Sequence, residues 1–408
     1  MSQAPIEIPK FTGYQKFVVG LLAFLQFTIV LDFMILSPLG AILMPALKIS
    51  NAQFGIVVSA YALSAGASGL LASGFADRFD RKKLLLFFYI GFLMGTLFCA
   101  LAPRYEELLA ARIVTGLFGG VIGSIVLSIV TDLFPYQMRG RVLGVVQTAF
   151  AASQILGIPL GLYFSNIWGW HAPFLMIVVI GAAVGVVIFA KLQPIDSHLS
   201  LKTEKTPFKH FAAIISKPRH QLAFLFMALL SMGGFMIMPF GSKFTVGNLK
   251  IPVDQLPMIY WITGLCTIVT GPLIGRASDR FGKWRTFLFG TMMTILMVLI
   301  YTNLGPTPLW LVVAVNAFLF VGIFSRMIPA QAFLSTIPDP QNRGAFMAVS
   351  SSLQQISGGL AAMVAGLIVK DTVQGQIEHF DTLGFILTFM ALVNVVILYR
   401  LYVVQPKK

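Results

Sequence analysis

Charge is scarce in this chain. Asp, Glu, Lys and Arg together make up 11% of its 408 residues, against about 25% in soluble domains. A fold with so few polar groups cannot cover its own surface in water. Cysteine occurs only at Cys99 and Cys266, both inside apolar runs, where they read as small fillers that reveal nothing about redox compartment. None of the five His lies in the middle of an apolar run. Paired acids, a metal-ligand cluster and a phosphate-binding glycine loop are all missing. These absences argue against an enzyme and call for no cofactor and no metal.

What the chain has instead is apolar length. Hydrophobic residues make up 57%, organised in runs of the roughly 20 residues that cross a bilayer as helix. Twelve such runs cover about 16–42, 52–73, 83–102, 106–133, 142–164, 170–191, 220–242, 256–275, 285–303, 308–335, 345–369 and 382–402. The alternation of barrel strands is absent, and closed helices satisfy their backbone without water. The expected fold is an all-α membrane protein of twelve transmembrane helices. The net charge of +14 is distributed by side. Arg78, Arg81, Lys82, Lys83, Arg139, Arg141, Lys202, Lys205, Lys209, Lys217, Arg276, Arg280, Lys283 and Arg285 fall on the side of both termini. Lys48, Arg104, Lys243, Lys250 and Lys370 fall on the other. That bias follows the positive-inside rule and puts both termini in the cytoplasm. It speaks against a nucleic-acid face. The five Trp sit at or near span ends, as an aromatic belt would place them. The N-terminus shows no signal-peptide cleavage pattern, so the first span is expected to stay.

The spans divide six and six, giving bundles over 1–191 and 220–408 joined by a polar, basic linker over 192–219. Within the linker Phe208, Phe211 and Ile215 fall near one helical face, and either a helix on the membrane surface or a solvated segment fits. Landmarks repeat at an offset of about 200 residues, half the chain. Asp77-Arg78-Phe79 returns as Asp279-Arg280-Phe281, Arg139-Gly140 as Arg343-Gly344, and Pro38 as Pro239. An even number of spans per repeat gives both copies one orientation. Parallel repeats about an axis normal to the membrane belong to transporters with a site between halves.

At this point the chain resembles the major facilitator superfamily over essentially its whole length. That family's loop between spans 2 and 3 reads Gly-x-x-x-Asp-Arg-x-Gly-Arg-Lys. The first copy matches at Asp77, Arg78, Arg81 and Lys82, with Ser73 and Asp80 where the family prefers glycine. The second, at Gly275, Asp279, Arg280, Gly282 and Lys283, is closer to the pattern. Cations alone would serve as topology anchors, but the two aspartates would then be unexplained. The resemblance implies a latch that bridges span ends when the cytoplasmic side closes. Asp132 is placed like the family's partner for the motif's arginine, and Ser335 stands where a second-half acid would be.

Ionisable residues inside spans cost about 2.5–3.5 kcal/mol on insertion scales and are functional candidates by default. Asp32 is the only acid deep in an apolar run; Arg112 lies in span 4 and Arg326 in span 10. Lys243, at a span end, reads as an ordinary snorkelling side chain. Asp32 either holds the first bundle together by pairing permanently with Arg112, or titrates as its distance from Arg112 changes. The resemblance favours titration, because an acid in span 1 often couples protons in drug:proton antiporters. Gly116, Gly119 and Gly123 share the face of Arg112 and suit close helix packing or a cavity wall.

In span 5, Gly157, Pro159 and Gly161 resemble the Gly-Pro motif of antiporters, with proline bending the helix and glycine admitting close approach. Gln147, Phe150 and Gln154 share that face and could line a substrate cavity, as could Gln354 of span 11 and Arg326. The expectation is a monomeric, multi-pass transporter of the inner (cytoplasmic) membrane, exporting a small organic molecule against protons by alternating access. The alternative within the same fold is an organic-anion or metabolite symporter or uniporter. A receptor would leave the duplicated latch unexplained.

Overall fold

The computed structural model describes residues 11–72, 78–196, 199, 214–339 and 342–403. Twelve long helices fill them. The first six are α1 (Gly13–Leu47), α2 (Asn51–Ala72), α3 (Arg81–Leu101), α4 (Tyr105–Leu133), α5 and α6 (Ala172–Lys191). Here α5 comprises Tyr136–Ala152, a π-helical turn Ser153–Gly157 and Ile158–Trp168. The last six are α7 (Pro218–Gly247), α8 (Leu256–Phe281), α9 (Lys283–Thr302), α10 (Leu309–Leu334), α11 (Arg343–Ile368) and α12 (Phe380–Val403). The 20 residues of α6 rise about 30 Å, the thickness of a hydrocarbon core.

Eleven of these helices are long and apolar enough to cross a membrane. The other is α11, whose Ser350, Ser351, Ser352, Gln354 and Gln355 dilute its hydropathy. It packs lengthwise on α2, so little of that polarity needs to meet lipid. Elsewhere apolar side chains point outward, among them Val179, Phe189, Trp168, Trp310 and Phe389, each about 70% exposed. That surface is made for lipid.

Local chemistry sets the helix ends. A capping box between Thr12 and Gln15 starts α1, and the reciprocal pair Ser50–Gln53 starts α2. Asp80 caps α3, its Oδ1 accepting from the backbone N–H of Lys82 at 2.7 Å and Lys83 at 3.1 Å. This accounts for the departure from glycine noted in the first motif copy. Asp80 has φ −54° and needs no glycine, whereas Gly282 in the second copy has φ +91°, which does.

Antiparallel neighbours place the links α2–α3, α4–α5, α6–α7, α8–α9 and α10–α11 at the same end as Gly13 and Val403. We call this the terminal end and its opposite the far end. The apolar core treats the two ends differently. One cluster unites both sixes at the far end, running from Leu36, Leu39 and Phe54 to Phe240, Phe244 and Ala362. Toward the terminal end there are two clusters. One is built on α1–α6 with Phe88, Ile125 and Val142, the other on α7–α12 with Phe226, Phe287 and Phe346. Among the described residues the two are separate clusters, and Leu70 of α2 packs on the second. The molecule is sealed at the far end and divided at the terminal end.

The continuous seam is α2 against α11. A Cβ on Gly55 would lie 2.7 Å from the carbonyl oxygen of Ala362, and one on Gly366 2.6 Å from that of Asn51. Near the terminal end a Cβ on Gly66 would lie 2.9 Å from the Ser352 oxygen. Glycine is what lets these backbones touch. At the far end α1 joins α7, with Ser242 Oγ donating to the Ser37 carbonyl at 3.0 Å and Phe33 packing on Phe235 at 5.5 Å between centroids.

Candidate functional site

The deepest charges in the first six helices are brought together. Asp32 of α1 is 0% and Arg112 of α4 is 1% exposed, and Arg112 Nη1 donates to Asp32 Oδ2 at 2.8 Å. The other carboxylate oxygen accepts from Thr96 Oγ1 of α3 at 3.0 Å. Tyr61 of α2 lies beneath the guanidinium, 4.5 Å from ring centre to Cζ, and its ring packs on Phe33 at 5.3 Å. Four helices therefore converge on one ion pair. Removing one partner from such a pair would strand the other, at a cost of about 3–5 kcal/mol. The pair is one proton away from that situation, because protonating Asp32 removes the charge that holds Arg112. Arg112 itself keeps its charge at any physiological pH. Its Nε is buried without a hydrogen-bond partner, so the guanidinium has spare donor capacity.

Small residues seat α4. Cβ atoms on Gly116 and Gly119 would lie 2.5 Å from the Tyr61 carbonyl oxygen and 2.8 Å from its hydroxyl, while Gly123 faces open space. The first two glycines serve packing against α2. On α5, Gly157 and Gly161 admit Leu31 and Ile35 of α1, whose δ-methyls would be 2.5 and 2.7 Å from their Cβ positions. Pro159 does not act by a bend alone. Its ring excludes an ordinary α-turn contact with the preceding carbonyls, and the chain widens into the π-turn, with Ile158 N–H bonding to Ser153 O. Such turns are frequent at functional sites.

The residues expected to line a cavity have separate environments. Gln147 and Phe150 are exposed, on the α5 face nearer the terminal end. Gln154, in the π-turn, is 7% exposed and its Oε1 is buried with no partner; its carbonyl lies beside Gly264 of α8. Gln354 of α11 is half-buried and its Nε2 bonds back to the Ser350 carbonyl at 3.3 Å. Arg326 of α10 is 6% exposed, packs over the Phe287 ring at 5.8 Å and has an unpartnered Nε. No hydrogen bond joins these five residues to one another among the described residues.

At the terminal end Arg81 Nε pairs with Asp132 Oδ2 at 3.0 Å, with the arginine side chain 5% exposed. This joins α3 to α4. The Arg81 N–H donates to the Ile195 carbonyl and Lys82 Nζ to that of Phe189, binding the end of α6 to the same corner. Arg78 is exposed. Asp77 lies outside the described residues, as does most of the linker that holds Phe208 and Phe211. Asp279 and Arg280 are exposed at the end of α8. Arg280 lies over Phe281, and Asp279 has no ion-pair partner among the described residues.

One polar cluster gave no sequence signal. At the far end Lys243 Nζ pairs with Asp371 Oδ1 at 2.7 Å instead of reaching into water. Both belong to the last six helices and their links. Asn51, at the start of α2, bridges them: its Oδ1 accepts from Lys243 at 2.9 Å and its Nδ2 donates to Asp371 at 3.0 Å. The positions are about 320 residues apart and flank spans, where polar residues are routine.

Known proteins fit this architecture. The sequence profile described as Major Facilitator Superfamily matches residues 22–362, and again 223–408. The chain belongs to the major facilitator superfamily. It is 26% identical over 368 residues to the "Uncharacterized MFS-type transporter YceJ" of Bacillus subtilis, covering 89% of this chain and 92% of that one. It is 23% identical to a "Probable sugar efflux transporter" of Helicobacter pylori, covering 81% and 82%. A bacterial homologue of the human lysosomal transporter Spinster, solved in an inward-facing, unoccupied conformation, shares the fold with a TM-score of 0.70. It covers 96% of each chain at 18% identity. The chain is thus a multi-pass membrane transporter and not an enzyme.

Proposed function

We propose that this transporter exports a small organic molecule in exchange for protons, with Asp32 as the proton carrier. The observation that carries the reading is the sealed Asp32–Arg112 pair, fed by Thr96 and backed by Tyr61. An exchanger needs a group whose proton affinity differs between its two facing states, and Asp32 is the only acid deep in any span. When Asp32 is ionised it holds Arg112 and draws α1 to α4; when protonated it releases the guanidinium. The aromatic contacts from Tyr61 through Phe33 to Phe235 of α7 put that change in touch with the other half. Export as the direction is supported by the efflux relative.

In this proposal the bundles over 1–191 and 220–408 rock about a central site. On this reading the terminal end, with its Lys and Arg excess, faces the cytoplasm, the membrane is the inner one, and the molecule acts as a monomer. The sealed far end then corresponds to an inward-facing state. Gln147, Phe150 and Gln154 line the substrate path from α5, with Gln354 and Arg326 opposite. Arg78, Arg81, Asp132, Asp279 and Arg280, with Asp77, form the terminal-end latch, and Asp279 acquires a partner only when that end closes. Proteoliposomes with an imposed pH gradient test the central claim. Asp32→Asn should bind substrate, release no protons on binding and fail to accumulate it. Uphill transport by Asp32→Asn on that gradient would assign the protons to another route.

A further inference from the structure

Three arginines are buried among the described residues, and two of them have a carboxylate within 3.0 Å: Arg81 with Asp132 and Arg112 with Asp32. Arg326 is the exception. It is 6% exposed, its Nε is sealed without an acceptor, and it has no ion pair among the described residues. The Phe287 ring at 5.8 Å is its nearest electrostatic support. Such contacts are weaker than a carboxylate partner.

Its place in the fold suits a ligand. Ile323, one turn before it, packs on the far-end cluster, whereas Ala330, one turn after it, belongs to the terminal-end cluster. Arg326 therefore lies where the apolar core of the last six helices is interrupted. It is roughly 12 Å from the end of α10, counting 1.5 Å per residue to Leu334. Gly290 fixes its backbone: a Cβ there would be 2.9 Å from the Arg326 nitrogen and 2.6 Å from the Ser325 carbonyl carbon. α9 seats the α10 backbone at this point and places Phe287 against the guanidinium, whose donors meet no protein acceptor among the described residues.

Resting on the transporter reading above, we infer that Arg326 is the anchor for a soluble organic anion, a carboxylate or phosphate ester, which supplies the missing negative charge. Planar, bidentate recognition of such groups is what a guanidinium does best. The purified full-length chain in neutral detergent tests this by equilibrium binding and thermal melting, with benzoate and phenyl phosphate as probes and benzamide as the uncharged match. The wild type should bind at least one anion, and Arg326→Met should weaken it about tenfold or more. Arg326→Lys should keep part of the affinity, and benzamide should not distinguish the three proteins. Without ligand, Arg326→Met should melt no lower than the wild type, since it removes a buried unpaired charge.

Several results would overturn the inference. They are a wild type that binds neither anion, unchanged anion affinity in Arg326→Met, or a lower unliganded melting temperature in both variants, which would make the side chain a packing element. Stabilisation by phosphatidylglycerol vesicles with no response to either soluble anion would identify a lipid headgroup instead. None of these measurements uses a pH gradient or Asp32, so failure here leaves the proton-coupling test standing, and the reverse holds too.

Discussion

Asn51 is the one residue of the first six helices in the far-end clasp, and replacing it should loosen that end. Asn51→Ala removes the hydrogen bond to Asp371 at 3.0 Å and that from Lys243 at 2.9 Å. It leaves the capping pair Ser50–Gln53 intact, and alanine is a good helix former. Hydrogen bonds to charged groups contribute about 1.5–3 kcal/mol each. Asp371 is 38% exposed and keeps Lys243 as partner, so water and the surviving pair recover much of the loss. A net cost of about 1–2 kcal/mol for the sealed state is reasonable, or about 5–30-fold in the equilibrium between sealed and open far ends. Spin labels at Arg104→Cys and Asp254→Cys, exposed on opposite sixes, in a Cys266→Ser background, report that distance by pulsed electron resonance. A longer-distance population should grow in Asn51→Ala. An unchanged distribution would show that the apolar seam alone sets the state and that the clasp is incidental.

Gly55→Val should also open the far end, by more than Asn51→Ala in the same distance measurement, because its Cβ position is 2.7 Å from the Ala362 oxygen. Asp132→Asn removes the carboxylate that lies 3.0 Å from the buried Arg81 side chain and should lower transport strongly in proteoliposomes, whereas Asp279→Asn, at an exposed position, should be mild. The exposed Lys217–Asp339 pair at 3.2 Å should contribute nothing measurable to melting at pH 7 when Lys217→Ala removes it. The Lys217 hydrogen bond holds the Asp339 carboxyl below its ordinary value of 3.8. Any stabilisation is therefore present above about pH 4 and lost as pH falls through the depressed range, which a melting series from pH 7 to pH 3 on both proteins checks.

The fold was legible because its signals are long and redundant: apolar runs of span length, and landmarks repeated half a chain apart. Asp32 and Arg112 were legible for the opposite reason, as isolated charges where charge is costly. Thr96 was not. A threonine inside a helix ordinarily bonds back to its own preceding turn, as Thr96 also does to Phe92, and nothing in its neighbourhood announces a partner 64 residues away. Asn51 and Asp371 escaped because polar residues at span ends are the norm, so only three-dimensional proximity distinguishes these two. Pro159 announced a disturbance of α5, but a proline admits a kink or a π-turn alike, and the sequence does not show Leu31 and Ile35 of α1 packed against Gly157 and Gly161.

The contacts between the two sixes differ in kind, and the difference bears on how the molecule can move. Along α2 and α11 the backbones touch near both ends, at Gly55 and Gly366 and again at Gly66, where the neighbour is the Ser352 carbonyl oxygen. The α1–α7 contacts at Ser37–Ser242 and Phe33–Phe235, and the α5–α8 contact of Gly264 with Ile155, lie toward the far end. Glycine-mediated helix contacts carry no directional polar bonds and tolerate small rotations, whereas a hydrogen bond weakens steeply once its angle falls. Tilting one six against the other can therefore keep α2 on α11 as the axis. The same tilt must break the Ser242 bonds to α1. The glycine contacts of α2 on α11 thus suit a pivot, whereas the Ser242 hydrogen bonds tie α1 to α7 at the far end.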